Sequence, residues 1–257
     1  MRVHVALSPS EFADAPVSGR AVLAVDVLRA TSAAVAACEA GCRRVVPVPD
    51  EAAAEALRGT DGVVLAGERG GHAIPGFDLS NSPDEFTRAR VEGRTVVLTT
   101  TNGTAAMMRA AAGAAAALVA LTNVSAAAAW ARKQRRDVTV LCAGDNGAFS
   151  LEDAVCAGLF VLRLGDGEPG AELSGGAVAA RALGLHYAGH LRRLATDSPW
   201  ARRLAHQARE VDLAACLRQD VSTVVPVFAA GGFAAVPAER AGLAAGAAGR
   251  DGAGAGA

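Results

Sequence analysis

The sequence predicts an α/β protein, a layered α/β/α fold around a largely parallel or mixed sheet. Two patterns carry that prediction. Short apolar runs alternate with alanine-rich helical stretches, and the runs end repeatedly in polar, glycine-bearing turns. A third observation is an apparent duplication: Asp26 to Thr31 and Thr99 to Thr104 have equal spacing, and Gly41 and Gly113 stop the two following helices at nearly equal distances.

Val22 to Asp26 (VLAVD) reads as a strand, Val27 to Ala30 as a turn and Thr31 to Ala40 as a helix stopped by Gly41. Arg44 to Val48 follows as a strand, which makes a βαβ unit with parallel pairing expected between its strands. Val63 to Ala66 is a shorter strand opening into Gly67, Glu68, Arg69, Gly70 and Gly71, and Ser82 is placed to cap a helix from Pro83 to Arg90. The second unit comprises strand Thr95 to Thr99, turn Thr100 to Gly103, helix Thr104 to Ala112 and strand Ala117 to Leu121. A third opens with strand Asp137 to Cys142 and the loop AGDNGAF, after which Ser150 and Asp153 have the form of a capping box. Beyond Gly165, Ala177 to Leu194 and Pro199 to Arg218 read as helical, and Val221 to Phe228 as a last strand that Pro226 would place at an edge. One domain over residues 1–228 is expected, with two similar subdomains allowed by the repeat. The Gly/Ala-rich stretch 229–257 is expected to be a disordered tail.

The chain has 257 residues and a net charge of −1, and its single lysine, Lys133, lies among interspersed arginines and acids. No basic stripe marks a nucleic-acid partner, so any anionic partner is expected to be small. The odd set of cysteines, Cys38, Cys42, Cys142, Cys156 and Cys216, lacks CxxC spacing and follows no signal-like start, which fits a cytoplasmic location. Ala110 to Ala131 is uncharged and about long enough to span a bilayer. Thr122, Asn123 and Ser125 interrupt it, so a membrane role is rejected. Oligomeric state is not legible.

Open α/β sheets bind ligands at the carboxyl ends of their strands, so the polar turns there are the candidate site. Asp26 stands at such an end beside Arg29, Thr31 and Ser32: a carboxylate for a divalent cation, a guanidinium and helix amides for an oxyanion. The plainer reading, that Asp26 tidies the loop and Thr31 or Ser32 caps the helix, is equally open. Glu68 and Arg69 sit in a glycine-rich loop, or form a solvated pair on an exposed turn. Glu152 and Asp153 occupy a first helical turn, where acids complement the dipole by default. With Asp26 they offer hard oxygen ligands without His or Cys, which favours Mg²⁺ over zinc. No GxxxxGK[ST], post-strand GxGxxG or GxSxG motif is present. His186 and His190 lack the intervening glutamate of an HExxH zinc site.

The strings VDVLRATSA, GERGG, GFDLSNSP, VVLTTTNGT and FSLEDAVCAGL occur in that order from Asp26 to Leu159. Together they resemble the 2-phosphosulfolactate phosphatase family, the ComB-like proteins. The opening MRVHVALSP and the later DVSTVVP resemble it more weakly. The resemblance implies a Mg²⁺-dependent phosphoric monoester hydrolase that converts 2-phosphosulfolactate to sulfolactate, a step toward coenzyme M, on an α/β fold of its own type. By matching motif it implies Asp26, Glu68 and Asp153, with Glu152 behind them, as acidic candidates, and Arg29, Thr31, Ser32, Arg69, Thr101, Asn102 and Thr104 as candidate binders of phosphate or sulfonate. The division within that set is a reading of the residue types and not of the resemblance: Asp26, Arg29 and Glu68 for catalysis, and Asp26, Glu68, Glu152 and Asp153 for the metal. Direct attack by water and an aspartyl-phosphate on Asp26 both remain open. Two segments depart from the family pattern: Asp145 and Asn146 stand in the third loop, and DSPWARRLAHQAREVDL replaces a glycine-containing stretch. A protein that kept the loops but lost turnover, an anion-binding or regulatory module, is the alternative.

Overall fold

A computed structural model describes residues 1–166, 170–207 and 209–236. The strands are β1 (Arg2–Ala6), β2 (Ala21–Val25), β3 (Arg44–Pro47), β4 (Val63–Arg69), β5 (His72–Ala73), β6 (Thr95–Thr99), β7 (Ala115–Val119), β8 (Val138–Cys142), β9 (Glu172–Leu173), β10 (Pro226–Ala229) and β11 (Gly232–Ala235). The helices are α1 (Ala30–Glu39), α2 (Glu51–Glu55), α3 (Arg88–Val91), α4 (Gly103–Ala110), α5 (Val124–Lys133), α6 (Leu151–Gly165), α7 (Gly175–Tyr187), α8 (Leu194–Asp197), α9 (Pro199–His206) and α10 (Glu210–Cys216).

All the described strands join one mixed sheet in the order β5-β4-β6-β3-β11-β10-β7-β2-β8-β1-β9. Two parallel sets, β4-β6-β3 and β7-β2-β8-β1-β9, flank the antiparallel hairpin β10–β11. Because successive side chains alternate between faces, the sheet has two apolar sides. Leu23, Val25 and Val140 face the layer of α5, α6 and α7, whereas Val22, Ala24, Val96 and Leu98 face α1 and α4. The layered α/β/α class is as expected. β2 is buried at every residue, as befits a strand covered on both faces.

Pairing within the repeated units differs from expectation. β2 and β3 do not pair, and neither do β6 and β7. Instead β2 pairs with β7 (Val25 opposite Val119) and β3 with β6 (Pro47 opposite Leu98). Each unit therefore crosses from one half of the sheet to the other, in opposite senses. Periodicity defines a strand's burial but not its neighbour, and the local βαβ pattern carried no sign of the exchange.

The hairpin corrects two further expectations. β10 is interior, not an edge strand. Pro226 is tolerated because it opens the strand and β10 meets β7 through the single register pair Val227–Ala117. β11 lies inside the expected tail, anchored by fully buried Phe233 opposite Val45 and edge-on to Phe228 at 5.3 Å. The remainder of that stretch, 237–257, lies outside the described residues. The helix expected over Pro83 to Arg90 is a 3-10 turn at Pro83–Glu85 followed by α3, and Ser82 makes no cap bond. The stretch Pro199 to Arg218 divides into α9 and α10. No described helix is long and apolar enough to cross a membrane. Residues 110–131 are shared among α4, β7 and α5.

Candidate active site

The carboxyl ends of β2, β4, β6 and β8 meet at one cavity. It is lined by Asp26, Leu28, Arg29, Glu68, Gly70, Asn81, Thr101, Asn102, Asp145, Asn146 and Trp200, with a volume of about 20 Å³. That is room for about one water molecule or ion.

Asp26 leaves β2 and turns back over the start of α1. Its Oδ1 accepts the Ala30 N–H at 3.1 Å, while Oδ2 has no hydrogen-bond donor among the described residues. The first turn of α4 packs against the same carboxylate. A Cβ on Gly103 would overlap both Asp26 Oδ2 and the Ala30 methyl, so only glycine lets the N-termini of α1 and α4 converge there. Burial pushes the Asp26 carboxyl up to about 7, and the nearby Glu68 and Glu152 add to the shift. The Ala30 amide and the Arg29 guanidinium oppose it.

Glu68, at the end of β4, ties two loops together. Its Oε2 accepts the Gly71 N–H at 2.6 Å and its Oε1 the Thr101 N–H at 2.7 Å, while the Thr101 hydroxyl lies 3.3 Å from Oε2. It is 5% exposed, which removes the reading of a solvated pair. Arg29, 2% exposed, donates to the Gly71 carbonyl at 2.9 Å and forms a buried ion pair with Asp212.

Glu152 and Asp153 lie in the first turn of α6, as read from the sequence, and Ser150 caps that helix by accepting the Asp153 N–H. Both are buried, and burial raises both carboxyls. Asp26 and Glu152 add to the rise at Asp153, against the opposing amides of Val27 and Gly144. Asp153 braces the backbone, accepting from Val27 at 2.8 Å and from Gly144 at 3.0 Å, and so pins the loop after β2 to the loop after β8. Among the described residues Glu152 Oε2 is buried without a partner.

The acids thus converge electrostatically, but not as the four-ligand set expected for one cation. Among the described residues no three His, Cys, Asp or Glu side chains are placed to hold a metal ion, and neither Glu152 nor Asp153 lines the cavity. Asp26 and Glu68 do. Mg²⁺ commonly takes one or two carboxylates and keeps waters or phosphate oxygens at its other positions, so this two-acid donor set fits it. Asp26 Oδ2 is open, and Glu68 Oε1 retains a lone pair beside its one amide.

The expected anion binders divide. Thr101 and Asn102 line the cavity. Thr31 does not: its hydroxyl donates to the Asp26 carbonyl at 2.7 Å and accepts the Asp26 N–H at 3.0 Å. The Ser32 hydroxyl donates to Val27 O at 2.8 Å, and Thr104 is bonded to Thr100. Arg69 turns outward to Glu51 at 3.3 Å and to the Thr99 hydroxyl at 2.9 Å. These four brace the turns that shape the site. In the sequence a hydroxyl that closes its own loop is indistinguishable from one that faces a ligand.

The structure adds residues that sequence reasoning did not select. Asn81, from the loop before Pro83, lines the cavity with Oδ1 buried and without a partner among the described residues. Trp200 on α9 closes the mouth by donating from Nε1 to Leu28 O at 2.7 Å. Arg203 stacks on its ring at 4.6 Å and pairs with Asp145. Asp212 on α10 accepts from Arg29 and from the Ser82 hydroxyl. The segment that departs from the family pattern is therefore the cap of the site. The faint signals were one of only two tryptophans in the chain and an aspartate at a buried helical position.

The sequence model of a family described as 2-phosphosulpholactate phosphatase matches residues 6–231. A protein of Symbiobacterium thermophilum named probable 2-phosphosulfolactate phosphatase is 37% identical over 217 residues, covering 83% of this chain and 93% of its own. Proteins of the same name from Thermotoga petrophila and Clostridium acetobutylicum are 36% and 30% identical, covering 90% of this chain and 97% and 99% of their own.

Proposed function

The chain belongs to the 2-phosphosulpholactate phosphatase family, and from that premise we propose that it hydrolyses 2-phosphosulfolactate to sulfolactate and inorganic phosphate with the help of Mg²⁺. The observation that carries this reading is the meeting of Asp26, Glu68 and Arg29 at one cavity. Buried acids with an open oxygen call for a cation, and a buried guanidinium beside them calls for an oxyanion.

Phosphoryl transfer needs little covalent chemistry from a protein and depends on positioning and charge stabilisation. Asp26 and Glu68 are the residues that would hold Mg²⁺, which in such sites neutralises charge on a phosphoryl oxygen. Arg29 binds the remaining phosphoryl oxygens through its free N–H donors. The amides of Asn81, Asn102 and Asn146 supply further polar contacts, and Glu68 holds the loops carrying Gly71 and Thr101 in register. Water provides the incoming oxygen, the bond from phosphorus to the lactate oxygen breaks, and that oxygen leaves with a proton. Trp200 excludes bulk solvent from the closed site. Because the closed cavity takes only about one water, the ester enters when α9 lifts away from Leu28 and Asp145.

The test is phosphate release from synthetic 2-phosphosulfolactate, first in EDTA and then with Mg²⁺. Turnover appears only with the metal and is lost in Asp26→Asn. Near-wild-type release by that variant, or undiminished release in EDTA, contradicts the proposal. Binding of phosphate without any turnover supports instead the anion-binding alternative.

A further inference from the structure

We propose that Asp212 is the positioning residue for Arg29, fixing the guanidinium so that its unused donors face the cavity. This rests on the reading of Arg29 as the phosphate-binding group. Arg29 carries five N–H donors in a rigid plane. Nη2 donates to Gly71 O at 2.9 Å, and Nη1 is held by Asp212 Oδ2. Asp212 is itself held: its Oδ1 accepts the Ser82 hydroxyl, and the residue is 3% exposed. It does not line the cavity, so it makes no contact with a bound anion, and its hydrogen-bonded route to one runs through Arg29.

The chain of contacts then continues to the acids. Gly71 accepts from Arg29 through its carbonyl and donates its amide to Glu68, so one peptide segment couples guanidinium and carboxylate. A buried Arg–Asp pair contributes little net stability relative to apolar side chains of similar volume. Its value here is geometric. Asp212 also belongs to α10, next to the capping helix α9, whereas Arg29 lines the cavity and Ser82 follows Asn81, which lines it too. Arg29 is therefore fully oriented only while α10 is seated.

The experiment is a double-mutant cycle on the full chain with saturating Mg²⁺. Binding of inorganic phosphate is measured by calorimetry, with KM and kcat for 2-phosphosulfolactate alongside. Asp212→Asn weakens phosphate binding by about ten- to a hundredfold, the range expected for one charge-assisted hydrogen bond. Adding Asp212→Asn to Arg29→Ala weakens it no further, since both act through one group. Ser82→Ala, which keeps both charges, gives a smaller loss that also disappears in the Arg29→Ala background. It decides the matter if Asp212→Asn does not fold. Phosphate affinity in Asp212→Asn within about twofold of wild type overturns the assignment, as do additive losses in either double variant. Wild-type protein that binds no phosphate at all removes the phosphatase reading as well, which separates the two failures.

Discussion

Asp26→Asn is expected to stabilise the metal-free protein while removing its activity. The Asp26 carboxyl is raised from 3.8 to about 7 in the folded chain, chiefly by burial. In the unfolded chain it ionises near its ordinary value. Between those two values the folded state holds a proton that the unfolded state has lost, so stability falls as pH rises through this window and levels off above about 7. The shift corresponds to at most about 4 kcal/mol at pH 8. Asparagine keeps the Oδ1 acceptor for the Ala30 amide and carries no charge. Thermal melts in EDTA should therefore show the variant about 10 °C above wild type at pH 8. The two should coincide near pH 3, where Asp26 is protonated in the fold and largely so in the unfolded chain. Mg²⁺ should narrow the gap at pH 8 by stabilising wild type alone. A variant less stable than wild type at pH 8 in EDTA would refute the claim that this carboxylate is held at an energetic disadvantage.

The remaining predictions concern the neighbours of Asp26. Gly103→Ala should lower turnover at least about tenfold, because its methyl displaces Asp26 Oδ2 or the start of α1, and a crystal structure would show the shift. Asp153→Ala removes the acceptor from two buried amides and should lose about 2–6 kcal/mol in denaturant unfolding. Loss below about 1 kcal/mol would mean that water replaces the brace. Trp200→Phe keeps most of the apolar cover but loses the bond to Leu28 O, and kinetic measurements should show a raised KM with kcat less affected. Arg203→Ala breaks a half-exposed pair with Asp145, so stability should change by less than about 1 kcal/mol while substrate entry accelerates in stopped-flow mixing.

Much of the site was legible because its residues sit where strands end, and strands with burial on both faces announce themselves as apolar runs. The pattern puts Asp26 after VLAV and Glu68 after VVLAG at strand ends, but it leaves Asp26 open to a plain loop role and Glu68 to a solvated pair on an exposed turn. The exchange of partners between the two repeated units was not legible, since pairing is decided by crossovers that leave no local mark. β11 was hidden for another reason: four residues in a Gly/Ala stretch hold their place through one buried ring, Phe233. Asp212 and Trp200 lie on short helices whose pattern is that of any amphipathic segment, and their roles arise only when the cap is laid over the strand ends. Thr31, Ser32, Thr104 and Arg69 stand in the right turns but are turned toward their own backbone or outward.

The most direct measurement is an anomalous difference map from crystals soaked in Mn²⁺, a spectroscopically visible substitute for Mg²⁺. A single strong peak between the carboxylates of Asp26 and Glu68, beside Arg29, is the predicted result. A cavity without a peak at saturating Mn²⁺, or a peak bound elsewhere on the molecule, would contradict the account.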